Sequence, residues 1–214
     1  MGRIGVTVPP ALARRSNRVL RPRDAVVYAH PRAELARLAK AGVLRQVHTG
    51  YYAIAPLDRL GDTTWRPDLA AVALGIAQAD YGPATVALMG TSAARHHGAI
   101  PRAIAVAVVA VPKQRPELRT DLGRLVFVKR NTDKLDLERV DTELTTGWVT
   151  TVEQTILDLA ARPALGGLTP GDTAEAVRAL GRRADPDLLG QLAAEQHRPA
   201  ALRMALALMT DTDA

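Results

Sequence analysis

Prolines and glycines punctuate residues 21–54, RPRDAVVYAHPRAELARLAKAGVLRQVHTGYYAI, so closely that few folds fit the segment. Pro22 suits the first turn of a helix, where a missing N–H costs no hydrogen bond. Pro31 cannot continue that helix and drives His30 out of the α region, so a second helix restarts at Pro31 or Arg32. On that second helix Leu35, Leu38 and Ala39 gather on one side, Ala33, Arg37 and Lys40 gather on the other, and Gly42 closes the end. Val43-Leu44 then begins a strand. Leu44, Val47, Tyr51 and Ile54 are apolar, and His48-Thr49-Gly50 supplies the positive-φ position that a short hairpin needs. Helix, tight turn, helix and glycine-tipped hairpin is the order of a winged helix-turn-helix, with the hairpin as wing. Pro10–Arg18 adds a short helix with Leu12 inward, and Val19-Leu20 is expected to pair with the wing as a third strand.

A helix face carrying two long cations and one small side chain suits the major groove of DNA. The cations reach phosphates or guanine edges, and Ala33 lets the backbone approach. The candidate contacts are Arg21, Arg23, Arg32, Ala33, Arg37, Lys40 and Arg45, with His48 and Thr49 at the wing tip. Charge supports this reading. Residues 1–60 hold 11 Lys/Arg against three Asp/Glu, whereas residues 61–214 hold 17 against 19. A basic first quarter joined to a near-neutral remainder is the footprint of a nucleic-acid module attached to something else. Only 3% of the chain is aromatic, too little for the stacking surfaces of single-strand and RNA binders, so duplex DNA is the expected partner.

Ala55–Pro67, APLDRLGDTTWRP, reads as the boundary between a DNA-binding domain over residues 1–60 and a second domain over 66–214. The second part opens with a helix over Pro67–Ala79, whose Leu69, Val72, Ala73, Ile76 and Ala77 form one apolar stripe, ended by Tyr81-Gly82-Pro83. A short strand over Ala84–Met89 and a short helix from Thr91 to Gly98 follow. Ala103–Val111, Arg124–Lys129 and Arg139–Thr145 read as strands, the first nearly all apolar and therefore central. Helices are expected at Thr151–Ala161, Thr173–Arg182, Pro186–Gln196 and Pro199–Met209, with Thr210–Ala214 frayed. The fold class is α+β, with an N-terminal winged helix-turn-helix and a mixed domain ending in a run of helices.

The longest apolar run, Ala103–Val111, is far short of the roughly 20 residues that span a bilayer, so no membrane partner is expected. No signal peptide is evident at the start, since Arg14 and Arg15 interrupt it, and with no cysteine the default location is cytoplasmic. No catalytic residue, metal or cofactor is expected. His96 and His97 are adjacent, which aims two rings in different directions on a helix. Ser92 and His96 stand at i, i+4 but lack a G-x-S-x-G context and an orienting acid. Thr150-Thr151-Val152-Glu153 fits a helix-starting capping box, and Thr151 with Gln154 fits one shifted by a residue, so Thr150, Thr151 and Asp158 read as structural. Gly166–Gly171 lacks the Lys-Ser/Thr of a phosphate cradle, and a nuclease strand would want an acid where Phe127 precedes Lys129.

Leu35–Ile54, LARLAKAGVLRQVHTGYYAI, resembles the N-terminal winged helix of the AbiEi antitoxin family. Three further stretches match in order: MGTSAARHHGAIPR (Met89–Arg102), the apolar strand to Val111-Pro112, and VTTVEQTILDLAARP (Val149–Pro163), which is similar to the family's Thr-Ser-x-x-Arg-Thr-hydrophobic-hydrophobic-Asp helix. Gln154 stands where that helix commonly has arginine, and the helices after Pro163 match only in general character. The resemblance implies a bacterial antitoxin of a type IV-like pair. Its N-terminal domain would repress its own operon by binding inverted repeats in the promoter, and its C-terminal domain would counteract a nucleotidyltransferase-like toxin encoded beside it. An alternative is a ligand-responsive winged-helix repressor without a toxin, for which an enclosed apolar pocket would be the sign.

Overall fold

The computed structural model describes residues 7–210, and the chain is mixed α+β with two sheets. The N-terminal part runs Pro10–Ala13 (α1), Val19–Leu20 (β1), Pro31–Lys40 (α2), Leu44–His48 (β2) and Tyr51–Ile54 (β3). Its three strands form an antiparallel sheet in the order β1-β3-β2, with Val19 opposite Ala53, as the Val19-Leu20 pattern leads one to expect. Leu35 and Leu38 of α2 pack with Leu12, Leu20, Leu44 and Ile54 in a small core of their own. The end of α2 is a Schellman turn: Gly42 N–H donates to the Ala39 carbonyl at 3.1 Å and Val43 N–H to the Leu38 carbonyl at 3.0 Å. Gly42 sits at φ +69°, and a Cβ there would lie 2.7 Å from the Gly61 backbone, so glycine is required on two counts.

The helix expected to start at Pro22 is a single 3₁₀ turn, Pro22–Asp24, followed by turns up to His30. Two causes are visible. Asp24 accepts a hydrogen bond from the Arg21 N–H at 2.8 Å, which closes the turn locally, and Ala25 then leaves helical space at φ −106°, ψ 42°. Val26 and Val27 are 84% and 61% exposed, so the segment has no buried face to hold a longer helix against the core.

The remainder comprises Leu69–Tyr81 (α3), Ala87–Leu88 (β4), Thr91–His96 (α4), Val106–Val111 (β5), Leu118–Arg119 (β6), Arg124–Lys129 (β7), Leu137–Asp141 (β8), Thr146–Thr150 (β9), Val152–Ala161 (α5), Pro170–Gly181 (α6), Pro186–Glu195 (α7) and Pro199–Thr210 (α8). The six strands are ordered β6-β7-β5-β4-β9-β8, with β5 parallel to β7 and β4 parallel to β9. Strand β5 is apolar throughout because both faces are covered: Ala107, Val109 and Val111 join the cluster against α3, and Val108 and Ala110 join Ala87, Met89 and Val128 behind it. The C-terminal helices pack on α5 around Ile156, Leu157, Leu159, Val177, Leu180 and Leu189. Of the stretch expected to fray, Thr210 ends α8 and 211–214 lie outside the described residues.

Two further expectations are corrected. The strand expected at Arg139–Thr145 straddles a turn between β8 and β9, where Thr142 Oγ1 donates to the Thr145 carbonyl at 2.7 Å and accepts from its N–H at 3.0 Å. Helix α3 carries no single stripe. Leu74, Gly75 and Gln78 are buried as well as Val72, Ala73 and Ile76, because α3 lies between the six-stranded sheet and the N-terminal part. Asp68 caps it, accepting from the Ala70 and Ala71 N–H groups. Val19, Val47, Tyr51, Ala53 and Ala55 pack into the same cluster as α3 and β5, so the central core is shared across residue 60.

Candidate nucleic-acid interface

Helix α2 turns Arg32, Ala33, Arg37 and Lys40 to solvent while Leu35 and Leu38 are buried beneath it. The amphipathic spacing dictates this, because the small N-terminal core takes one face and leaves the other free. Arg32 and Lys40 have no ion-pair partner among the described residues. Arg37 does: its guanidinium donates two bonds to Glu34, at 3.0 and 2.7 Å. That contact lowers the Glu34 carboxyl and raises the Arg37 guanidinium from their ordinary values, keeping both charged. At the tip of the β2–β3 hairpin, Gly50 takes φ +80° and Thr49 is exposed, while His48 Nδ1 lies 3.2 Å from the Thr49 carbonyl.

The other candidate cations are drawn to the junction with the rest of the chain. Arg21 pairs with Asp80 and lies over the Tyr51 ring, and Arg23 donates to the Ala79 carbonyl at 2.9 Å. Arg45 pairs with Asp121 and with the Thr63 carbonyl. The structure thus brings four of the nine candidates together on α2, places two at the hairpin tip and three against residues beyond the boundary.

Asp80 organises that junction. Its carboxylate accepts from Arg21, from Arg115 and from the Tyr51 hydroxyl, the last at 2.7 Å. Burial alone would raise the Asp80 carboxyl, but the bonds from Tyr51, Arg21 and Arg115 outweigh it and hold it below the usual carboxylate range. Sequence reasoning passed over this residue, although an acid in the last turn of a helix opposes the helix dipole and so calls for cationic partners.

A second buried acid, Asp158 on α5, accepts from Arg130 at 2.9 Å and Arg198 at 3.0 Å. Burial, then the Arg130 charge, lowers the Arg198 guanidinium. Gln154, in the position where the resemblance leads one to expect arginine, donates to Asp158 at 3.4 Å and to Gln196 at 3.3 Å. With two arginines already on Asp158, a neutral amide fits there. Ser92 is buried, and its Oγ accepts the Val108 N–H at 2.8 Å, so its hydroxyl is tied to strand β5. Thr150 and Thr155 share a 2.8 Å hydroxyl contact, and Thr151 caps α5.

His96 and His97, at the end of α4, both face Glu138 of β8, their Nε2 and Nδ1 atoms each 3.9 Å from the same carboxylate oxygen. Burial, then the neighbouring His97, lowers the His96 imidazole from its ordinary value. An open cleft of about 550 Å³ that His96 borders has an apolar floor of Ala70, Ala71, Leu88 and Val140 and charged residues around it, among them Arg66, Asp68, Arg95 and Glu143. No helix among the described residues is long and apolar enough to cross a membrane. Compared with protein-family models and with curated proteins, the chain matches none.

Proposed function

We propose that the chain is a duplex-DNA-binding repressor of its own operon that also acts as an antitoxin. The observation that carries the DNA half is the outward face of α2, where Arg32, Arg37 and Lys40 are exposed around the small side chains of Ala33 and Ala36, with no large apolar side chain among them. In this reading α2 enters the major groove and the winged-helix hairpin sets Thr49 and His48 against flanking phosphates. Glu34 holds the Arg37 guanidinium against the helix surface before DNA arrives, and a guanine edge or phosphate competes for it. The antitoxin half rests on the ordered resemblance to AbiEi antitoxins. It assigns residues 66–214 to contact with a nucleotidyltransferase-like toxin rather than to catalysis.

The test is genetic. With the operon promoter driving a reporter and the neighbouring toxin induced separately, Arg37→Ala with Lys40→Ala derepresses the reporter while cells remain protected. Unchanged repression by the double variant would remove α2 from the groove. A neighbouring gene unrelated to nucleotidyltransferases, with no growth arrest to relieve, would remove the antitoxin half and leave a repressor.

A further inference from the structure

We propose that His96, His97 and Glu138 form a binding site for a divalent transition metal of the zinc class, independent of the DNA-binding surface. Three observations converge on it. The donor atoms of the three side chains lie within 4.8 Å of one another. With two of the separations at 3.9 Å, the three atoms share a point about 2.5 Å from each, and closure to the 2.0–2.2 Å of zinc coordination asks for a shift of under about 1 Å. Glu138 and His96 are exposed enough to supply that shift.

The second observation is that His97 is already set as a ligand. Its ring is 7% exposed, and Nε2 lies 2.7 Å from the Thr150 carbonyl. A carbonyl only accepts, so Nε2 carries a proton, and in the neutral ring Nδ1 is the lone-pair nitrogen, 3.9 Å from Glu138. A ring N–H held by a backbone carbonyl is the usual outer support of a metal-bound histidine. The backbone is held too: Gly98 and Ala99 close α4 in a Schellman turn onto Arg95 and Ala94, at 2.9 Å each.

The third observation concerns sign. With the His97 ring neutral, its Nδ1 and a carboxylate oxygen of Glu138 are two acceptors 3.9 Å apart. A cation between them turns that confrontation into attraction. Adjacent histidines converge because His96 reaches with its far nitrogen, Nε2, and His97 with its near one, Nδ1. The spacing argument against the pair overlooked this difference in reach, and the third ligand comes from a strand remote in sequence. Two imidazoles and one carboxylate select zinc, nickel, cobalt or copper over magnesium and calcium. Three protein ligands leave a fourth position for water.

The full-length chain, stripped by chelator, is titrated with Zn²⁺ in competition with a chromophoric zinc indicator, and with Co²⁺ as a spectroscopic substitute. Expected are one saturable equivalent and a Co²⁺ visible band. His96→Ala and Glu138→Gln, both surface changes, each weaken uptake by roughly tenfold or more, the cost of disturbing a metal's support or greater. His30→Ala, a remote exposed histidine, leaves uptake unchanged. No saturable uptake, or the same uptake in a folded His96→Ala/Glu138→Gln double variant, overturns the site.

Discussion

Arg37 is the residue on which the DNA-reading proposal turns, and its partner makes a sharp prediction. If Arg37 reads a base edge, Arg37→Ala weakens operator binding by about 1–3 kcal/mol while non-specific duplex is affected less. Glu34→Gln acts in the opposite direction: it frees Arg37 and removes a negative charge from the face, so affinity for non-specific duplex rises, as fluorescence anisotropy at fixed salt would record. Asp80 makes a prediction of a different kind. Its folded pKa lies below its unfolded value of about 3.9, so the stability it contributes is fully present above that pH and is lost as pH falls through the folded value. Asp80→Asn should therefore flatten the acid limb of a stability–pH profile and cost about 1–3 kcal/mol at neutral pH. The cost falls short of the 3–5 kcal/mol typical of a wholly buried pair because Arg21 is about one-third exposed. An acid limb identical to that of the unaltered chain would show that Asp80 is not held ionised by the junction.

Among the elements, those with a local cause were legible. Helix α2 starts at Pro31 and stops at Gly42 because a ring and a missing Cβ act on their own backbone, and strand β7 runs over Arg124–Lys129, as expected. The starts of α5, α7 and α8 follow from Thr151, Asp185 and Pro199, whereas α6 begins at Pro170, three residues before the expected Thr173, because Thr169, inside the stretch read as a loop, forms a capping box with Asp172. What could not be read was decided by distant partners. The second buried side of α3 exists because β1 lies on Gly75, where a Cβ would stand 2.4 Å from Val19 Cγ2, and nothing near residue 75 announces Val19. The turn at Thr142–Thr145 hid inside a run of strand-forming residues, and Pro22 signalled a longer helix than its surroundings could bury. Of the candidate contacts, the exposed face of α2 was legible from helical spacing, whereas the pairings of Arg21, Arg23 and Arg45 depend on Asp80 and Asp121, far along the chain. Two substitutions test the packing. Gly75→Ala forces α3 and β1 apart and should cost about 1–3 kcal/mol, and Gly42→Ala at least about 1–2 kcal/mol for its left-handed backbone. Urea melts of both, unchanged from the parent chain, would refute the close approaches at Val19 and Gly61.

At the level of the whole molecule, the positive excess of residues 1–60 is narrower in effect than in count. Arg15 and Arg18 bond to backbone carbonyls, Arg21, Arg23 and Arg45 pair with acids beyond the boundary, and Arg59 lies against Asp58 and Asp62. Arg14, Arg32 and Lys40 are left without ion pairs among the described residues, two of them on α2. The same pairings tie the N-terminal part to α3 and the turn between β6 and β7, and the central core draws Val19, Val47, Tyr51 and Ala53 from one side and Val72, Ile76 and Val109 from the other. The full chain should therefore unfold in one cooperative transition, with calorimetric and van't Hoff enthalpies equal, and two resolved transitions would contradict a shared core. The central claim, that the outward face of α2 holds duplex DNA, is tested most directly by a salt titration. The full chain and an Arg32→Ala/Arg37→Ala/Lys40→Ala variant are compared on duplex from the region upstream of the gene. The variant is expected to lose tenfold or more in affinity, and the slope of log K against log salt should fall by about 0.9 for each phosphate contact removed. Equal affinity and equal slope in a variant with an unchanged melt would contradict it.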